Sequence, residues 1–353
     1  MAGAAAALGA AGIGAVVAAR RVAVGRVRLQ PDPYAGEPFG ERGGEPLTVL
    51  ADDGLPLYVE IEEPEGDRRP GAPTLVFCHG YCLTQDTWHF QRRALNGFRR
   101  VLWDQRSHGA SGRSQPTRAT IDQTGADLAA VLRATVRPDE PVVLLGHSMG
   151  GMSVMALADR HPELFGSQIT GVGLVNTSTG GLHEMTLGFP LLLAKMVRPF
   201  APRVVRGLGR RKQIVDPARE VGADVAFFVI RRMGFADRGI SPTIVDFVEQ
   251  MIRATPIDVI AEFYPSLMRH DKRAALETLT KVPVLVMAAG ADVLTPGAHG
   301  ELIADLLDDV ELVSIQEAGH LLPLEHPDEV TAAVRRLVER AGGAAGGPGE
   351  KEE

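Results

Sequence analysis

Val142-Val143-Leu144-Leu145-Gly146-His147-Ser148-Met149-Gly150-Gly151 is the stretch on which the reading of the whole chain turns. Four apolar residues run into a glycine, and apolar residues then recur at helical spacing from Met149 to Arg160. Such a short apolar run, bounded by a turn and followed by a helix, reads as a buried parallel strand feeding that helix. The turn itself carries Gly-x-Ser-x-Gly. A serine on a sharp strand-to-helix turn must accept strained backbone angles, and glycines at its flanks let strand and helix approach while the hydroxyl projects from the end of the sheet. In this context Ser148 reads as a nucleophile rather than an incidental residue at a glycine-rich helix start.

The same punctuation recurs outward from this point. Thr74–Cys78, Arg100–Trp103, Val142–Leu145 and Ile169–Val175 are apolar runs bounded by turn residues, with intervals that suit helices at about 85–96, 118–135 and 149–160. Upstream, Leu47–Ala51 and Leu57–Glu62 flank the turn Asp52-Asp53-Gly54 and predict an opening hairpin. Downstream come strands at Val282–Ala288 and Val310–Ile315 and a last helix at about Pro327–Arg340. Strands alternating with helices predict an α/β fold, a mostly parallel sheet flanked by helices, with its core in residues 45–181 and 282–340. Residues 182–281 separate two consecutive strands and are rich in helix-period apolar residues, which predicts an inserted helical cap. The end of the chain, AGGAAGGPGEKEE over 341–353, reads as a disordered tail.

A serine hydroxyl is a weak nucleophile at neutral pH and needs a histidine base oriented by a carboxylate. The strand at 282–288 runs into Ala289-Gly290-Ala291-Asp292, and the strand at 310–315 is followed by Glu317-Ala318-Gly319-His320. Asp292 and His320 thus fall just past successive strand ends, where parallel sheets present groups to ligands, and they are the candidate acid and base. The developing oxyanion needs backbone N–H donors. Tyr81 N–H, in the turn His79-Gly80-Tyr81, and Met149 N–H, at the start of the nucleophile helix, are the candidates. His79, His108 and His326 read as residues that fix their loops. Cys78 and Cys82 read as free thiols without a catalytic role, and no histidine pair has metal-ligand spacing beside a carboxylate, so neither metal nor cofactor is expected.

Composition narrows the function classes. The chain has 353 residues, 45% of them apolar, and a net charge of −7. That is enough apolar material for a large core, and it gives no global electrostatic reason to bind nucleic acid. Ala2 to Ala19 carry no charge and lead into Arg20, Arg21, Arg26 and Arg28. Ten of those eighteen residues are alanine and four are glycine, which is thin for a membrane span. Residues 1–28 are read as an apolar arm or peripheral anchor in preference to a cleaved signal, on a cytoplasmic protein. Lys195 to Lys212 hold seven basic residues and no acidic one, interleaved with apolar residues. This basic amphipathic stretch reads as a solvated face of the cap, or as a surface for a negatively charged substrate group or, together with the arm, for an anionic membrane.

Taken together, these motifs resemble the α/β-hydrolase fold family, in its group of serine esterases and lipases with a helical lid. The resemblance spans about residues 45–340. It rests on Gly146-His147-Ser148-Met149-Gly150-Gly151, His79-Gly80-Tyr81, Asp104-Gln105-Arg106-Ser107-His108-Gly109-Ala110-Ser111, Gly290-Ala291-Asp292 and Gly319-His320. It implies hydrolysis of a small-molecule ester, apolar or lipid-like in its acyl part, through an acyl-enzyme on Ser148. Relatives that use an aspartate nucleophile, the epoxide hydrolases and haloalkane dehalogenases, are disfavoured by Ser148. Cofactor-free haloperoxidases or perhydrolases and carbon–carbon bond hydrolases keep a serine triad and stay open as alternatives, as does a non-catalytic small-molecule receptor.

Overall fold

The computed structural model of the chain describes residues 32–66, 71–182 and 230–345. Eight strands form one sheet: β1 (Glu45–Leu50), β2 (Pro56–Glu62), β3 (Thr74–Cys78), β4 (Arg100–Trp103), β5 (Val142–His147), β6 (Ile169–Val175), β7 (Val284–Ala289) and β8 (Val310–Ile315). Their spatial order is β1-β2-β4-β3-β5-β6-β7-β8. The β1–β2 hairpin joins β4 antiparallel, and every pairing from β4 through β8 is parallel. β7 begins later than the apolar run suggests because Pro283 has no N–H to give to a ladder; its carbonyl instead accepts from Val172 N at 3.1 Å.

Alternation along the central strands sends their side chains to opposite faces. Val76, Val101, Leu144, Val172 and Val286 pack with α2 (Ile121–Thr135) and α3 (Met149–Arg160). Leu75, Phe77, Leu145, Val175 and Leu285 face the other way, onto Trp88 and the last helix, α9. Between them lie α1 (His89–Ala94), α6 (Leu276–Leu279), α7 (Gly297–Asp305) and α8 (Leu322–Glu325). Helix α9 spans Pro327–Ala345, further than the sequence indicated. Ala341 continues its apolar stripe of Val330, Val334 and Leu337 and is 1% exposed, so the expectation of a disordered tail from residue 341 is corrected. An alanine one turn beyond a buried leucine extends a helix at little cost.

The insertion between β6 and β7 is described from residue 230 onward. It contributes α4 (Pro242–Ala254), started by Pro242 and capped by Ser241, and α5 (Ile257–Arg269). Helix α4 packs with Leu83, Leu321 and Leu324; α5 lays Val259, Phe263 and Leu267 against Met149, Met152 and Ile121. A lead-in before β1 ties α4 to the rest of the molecule. Asp32 accepts from Ser241 Oγ at 2.5 Å and from Thr243 N at 3.0 Å. Phe39 stacks on Phe247 with centroids 4.6 Å apart, and Arg42 makes a two-pronged bond to Asp86 at 2.9 and 3.2 Å. Residues 1–28 and Lys195–Lys212 lie outside the described residues. Among the described residues no helix is long and apolar enough to cross a membrane.

Candidate active site

The register of the parallel strands sets the site. Cys78 pairs with Gly146, His147 with Val175 and Val175 with Met287, so the turns after β3, β5, β6 and β7 emerge along one edge. Ser148 stands between β5 and α3 with φ 53° and ψ −117°, a strained backbone for a residue with a side chain. Its N–H donates to Val175 O at 3.0 Å, and its carbonyl takes Thr177 Oγ1 at 2.7 Å. The flanking glycines are required by space: a Cβ at Gly146 would sit 2.6 Å from Gly151 Cα, and one at Gly150 would sit 2.1 Å from Cys78 O.

Asp292 and His320 meet. Asp292 Oδ2 is 2.7 Å from His320 Nδ1. Its Oδ1 accepts from Leu294 N at 2.7 Å and Thr295 N at 2.9 Å, and Thr295 Oγ1 lies 2.8 Å from Oδ2. Burial pushes the Asp292 carboxyl up, but His320 and the Thr295 donors outweigh it and hold the group below its ordinary pKa. An ionised Asp292 fixes the proton of His320 on Nδ1 and leaves Nε2 as the basic nitrogen.

The His320 turn is braced from three sides. His147 Nε2 donates to His320 O at 2.8 Å, and Asn176 Nδ2 reaches both Gly319 O at 2.9 Å and His320 O at 3.0 Å. The His147 ring thus turns from Ser148 toward the base, and burial, with His320 beside it, lowers its pKa to about 3. Ala291 N closes the set by donating to Ala318 O at 3.0 Å. Asn176 sits at φ 43°, a conformation asparagine tolerates.

In the turn after β3, His79 has a structural place. Its Nδ1 donates to Gly80 O at 2.7 Å and its Nε2 accepts from Gln105 N at 2.8 Å; burial pushes its pKa to about 3. Gln105, which the sequence showed only as part of the Asp104–Ser111 loop, also holds His79 O through its Nε2 at 2.5 Å, and its Oε1 accepts from Ser153 Oγ of α3 at 2.7 Å. Among the described residues Tyr81 N and Met149 N have no acceptor, and the Tyr81 hydroxyl donates to Ile260 O in α5. His108 is buried, donates to Arg106 O at 2.9 Å and has its pKa lowered to about 4 by burial. Cys78 and Cys82 are free thiols pushed up to about 12 by burial.

The structure brings Asp292 and His320 together; sequence reasoning missed the residues around them, Asn176, Thr295 and Glu325. Asn176 alone carried a signal, as an asparagine at the end of a buried strand. The model of the Alpha/beta hydrolase family matches residues 75–334. A monoacylglycerol lipase from Mycolicibacterium smegmatis is 25% identical over 73% of this chain and 84% of its own length. A thermophilic esterase from Thermogutta terrifontis superposes with TM-score 0.64 at 23% identity, over 84% of this chain and 99% of that one. A bromoperoxidase from Bacillus anthracis gives TM-score 0.64 at 17% identity, over 84% of this chain and all of that one. With the elbow, the parallel sheet and the family match over most of the sheet in agreement, this chain belongs to the alpha/beta hydrolase family.

Proposed function

We propose that this protein is a serine hydrolase that cleaves carboxylic esters with an apolar acyl group. Ser148 Oγ attacks the ester carbonyl while His320 Nε2 takes its proton, and the resulting imidazolium is stabilised by Asp292. The N–H groups of Tyr81 and Met149 hold the oxyanion. His320 returns the proton to the leaving alcohol, and the acyl-enzyme is then cleaved by a water that His320 deprotonates. The reaction calls on no metal or organic cofactor. The observations that carry the reading are the 2.7 Å pair of His320 Nδ1 and the Asp292 carboxylate, whose pKa is held below its ordinary value, and the strained backbone of Ser148 at the strand-to-helix turn. The apolar acyl group is supported by the monoacylglycerol lipase, a relative whose named substrate has that character.

The test is labelling by a fluorophosphonate probe together with hydrolysis of p-nitrophenyl esters of increasing chain length. Ser148→Ala, His320→Ala and Asp292→Ala should each lower kcat by about 10³-fold or more, and the double variant Ser148→Ala/His320→Ala should be little worse than Ser148→Ala, because the three act as one unit. Additive losses would remove the triad. A folded protein that takes no label would point to a receptor, and halide-dependent peroxidation outrunning ester cleavage would point to the haloperoxidase alternative.

We further propose that the arm at 1–28 and the basic stretch Lys195–Lys212 contact an anionic membrane surface. The full chain should then sediment with anionic vesicles in a salt-sensitive way, and absence of sedimentation would end that reading.

A further inference from the structure

The backbone polar groups that flank His320 can be followed to their partners; one of those partners belongs to the insertion, and another, Glu325, is itself held by it. Gly319 N donates to Glu325 Oε2 at 2.6 Å. The other oxygen of the same carboxylate accepts from Ala236 N and Asp237 N, each at 2.7 Å. On the far side of the histidine, Leu321 N donates to Gly234 O at 2.8 Å. Residues 234–237 are the part of the insertion that leads into α4. They lie so close to the histidine turn that a Cβ at Gly319 would stand 2.7 Å from Ala236 N, Gly234 O and Phe235 C. Leu321 and Leu324 share an apolar cluster with Ile230, Phe235, Ile240 and Ile244 of the same segment.

We propose that Glu325 is a positioning residue that makes the seating of the insertion and the placement of the catalytic base one event. This inference rests on the triad reading above. The physical reason is the geometry of one carboxylate with two obligations. Bonds from N–H groups to a carboxylate are short and about twice as strong as neutral ones, so Glu325 draws Gly319 and residues 236–237 toward a common point. With the insertion seated, the peptides on both sides of His320 are fixed from the insertion side, while His147 and Asn176 fix its carbonyl from the sheet side. When the insertion lifts, the Gly234 bond to Leu321 and the two amides on Glu325 are lost together. The imidazole then keeps its bond to Asp292, but the backbone that carries it is no longer fixed from the insertion side. Glu325 touches neither substrate nor reacting atoms; it acts through the His320 backbone.

Two variants of the full chain test this. Glu325→Gln keeps the size of the side chain but turns an NH2 group toward one set of amide donors. Gly319→Ala leaves Glu325 untouched and wedges the insertion from the histidine turn. Each is compared with wild type and Ser148→Ala by kcat and KM on a short soluble p-nitrophenyl ester and by the rate of fluorophosphonate labelling. The downfield proton resonance of His320 Nδ1–H, identified by its loss in Asp292→Asn, and the thermal midpoint complete the comparison. Both variants should stay folded at the assay temperature and lose on the order of 10- to 100-fold in kcat with KM little changed. Labelling should slow in step, and the Nδ1–H resonance should shift or broaden. A lowered midpoint with wild-type kcat and an unmoved resonance would mean that Glu325 only stabilises the turn, and would overturn the proposal. Full activity in Ser148→Ala would instead remove the triad, and the positioning role with it. An inactive Ser148→Ala beside a fully active Gly319→Ala would overturn the coupling alone.

Discussion

Gln105 is the residue whose importance the fold creates. Its backbone N–H, side-chain amide and side-chain carbonyl tie the His79 turn after β3 to the nucleophile helix through His79 and Ser153. Gln105→Leu would keep the backbone bond and delete the other two. His79 O would lose its only side-chain donor in a buried place, a change that costs about 1–3 kcal/mol, and Tyr81 would be held less firmly over the site. A lower urea midpoint is expected together with a reduced kcat on a short ester, and stability lost with kcat intact would show that the turn keeps its aim without the brace. The contrast with Ser148, Asp292 and His320 explains what was legible. These three stand out as candidates because few side chains can act as nucleophile, acid or base, and each falls at a strand end. Gln105, Asn176, Thr295 and Glu325 act on backbone atoms or on a partner's orientation. Their residue types are common in any loop, and only the assembled fold supplies the atoms they hold.

Among the elements, the buried strands were the most readable. Thr74–Cys78, Arg100–Trp103 and Ile169–Val175 are found as the apolar runs mark them, because a strand covered on both faces is a continuous apolar run stopped by turn residues; Val310–Ile315 is found at its expected bounds too, as a half-exposed strand at the sheet edge. The insertion was readable only as helical in character, since its helices are placed by contacts with distant turns. Helix α5 illustrates this. Pro265 inside it has no N–H for Ala261 O and crowds the preceding turn, and in that turn Ile260 O takes the Tyr81 hydroxyl. Arg113 grips Glu262 at 2.7 Å, and Ser266 Oγ accepts from Ile121 N at 3.0 Å. Tyr81→Phe separates the two roles of this residue, because it removes the phenol and keeps the N–H. Stability should fall by about 1 kcal/mol, the net worth of an ordinary hydrogen bond, measured by chemical unfolding. The loss in kcat should be far smaller than in Ser148→Ala. A loss of the same size would mean that the phenol itself meets the reacting group.

Over the whole molecule, burial of neutral histidines sets the response to acid. Burial pushes His79 and His147 to about 3 and His108 and His270 to about 4, well under the ordinary value of about 6.5. Below that value the unfolded chain takes up these protons and the folded chain does not, so stability falls as pH drops from about 6.5 toward 4. Asp104 opposes the trend: burial raises it to about 6, and the folded state holds that proton through part of the same window. Burial raises Asp127 as well and lowers His89 and His299, and six histidines against two carboxyls give a net loss. The thermal midpoint should decline from pH 6.5 to 4, and unfolding at pH 5 should consume protons in calorimetry in buffers of different ionisation enthalpy. A flat profile over that range would contradict the neutral state of these rings. The lead-in from Asp32 to Arg42 has a mechanical consequence of its own. It precedes the first strand, yet its carboxylate, its stacked phenylalanine and its guanidinium attach to Ser241, Phe247 and Asp86. A pull on the chain from its N-terminal side therefore enters the molecule at α4 before it reaches the sheet. The eight strands would sense such tension last, and the helix that rests on Leu321, beside His320, would sense it first.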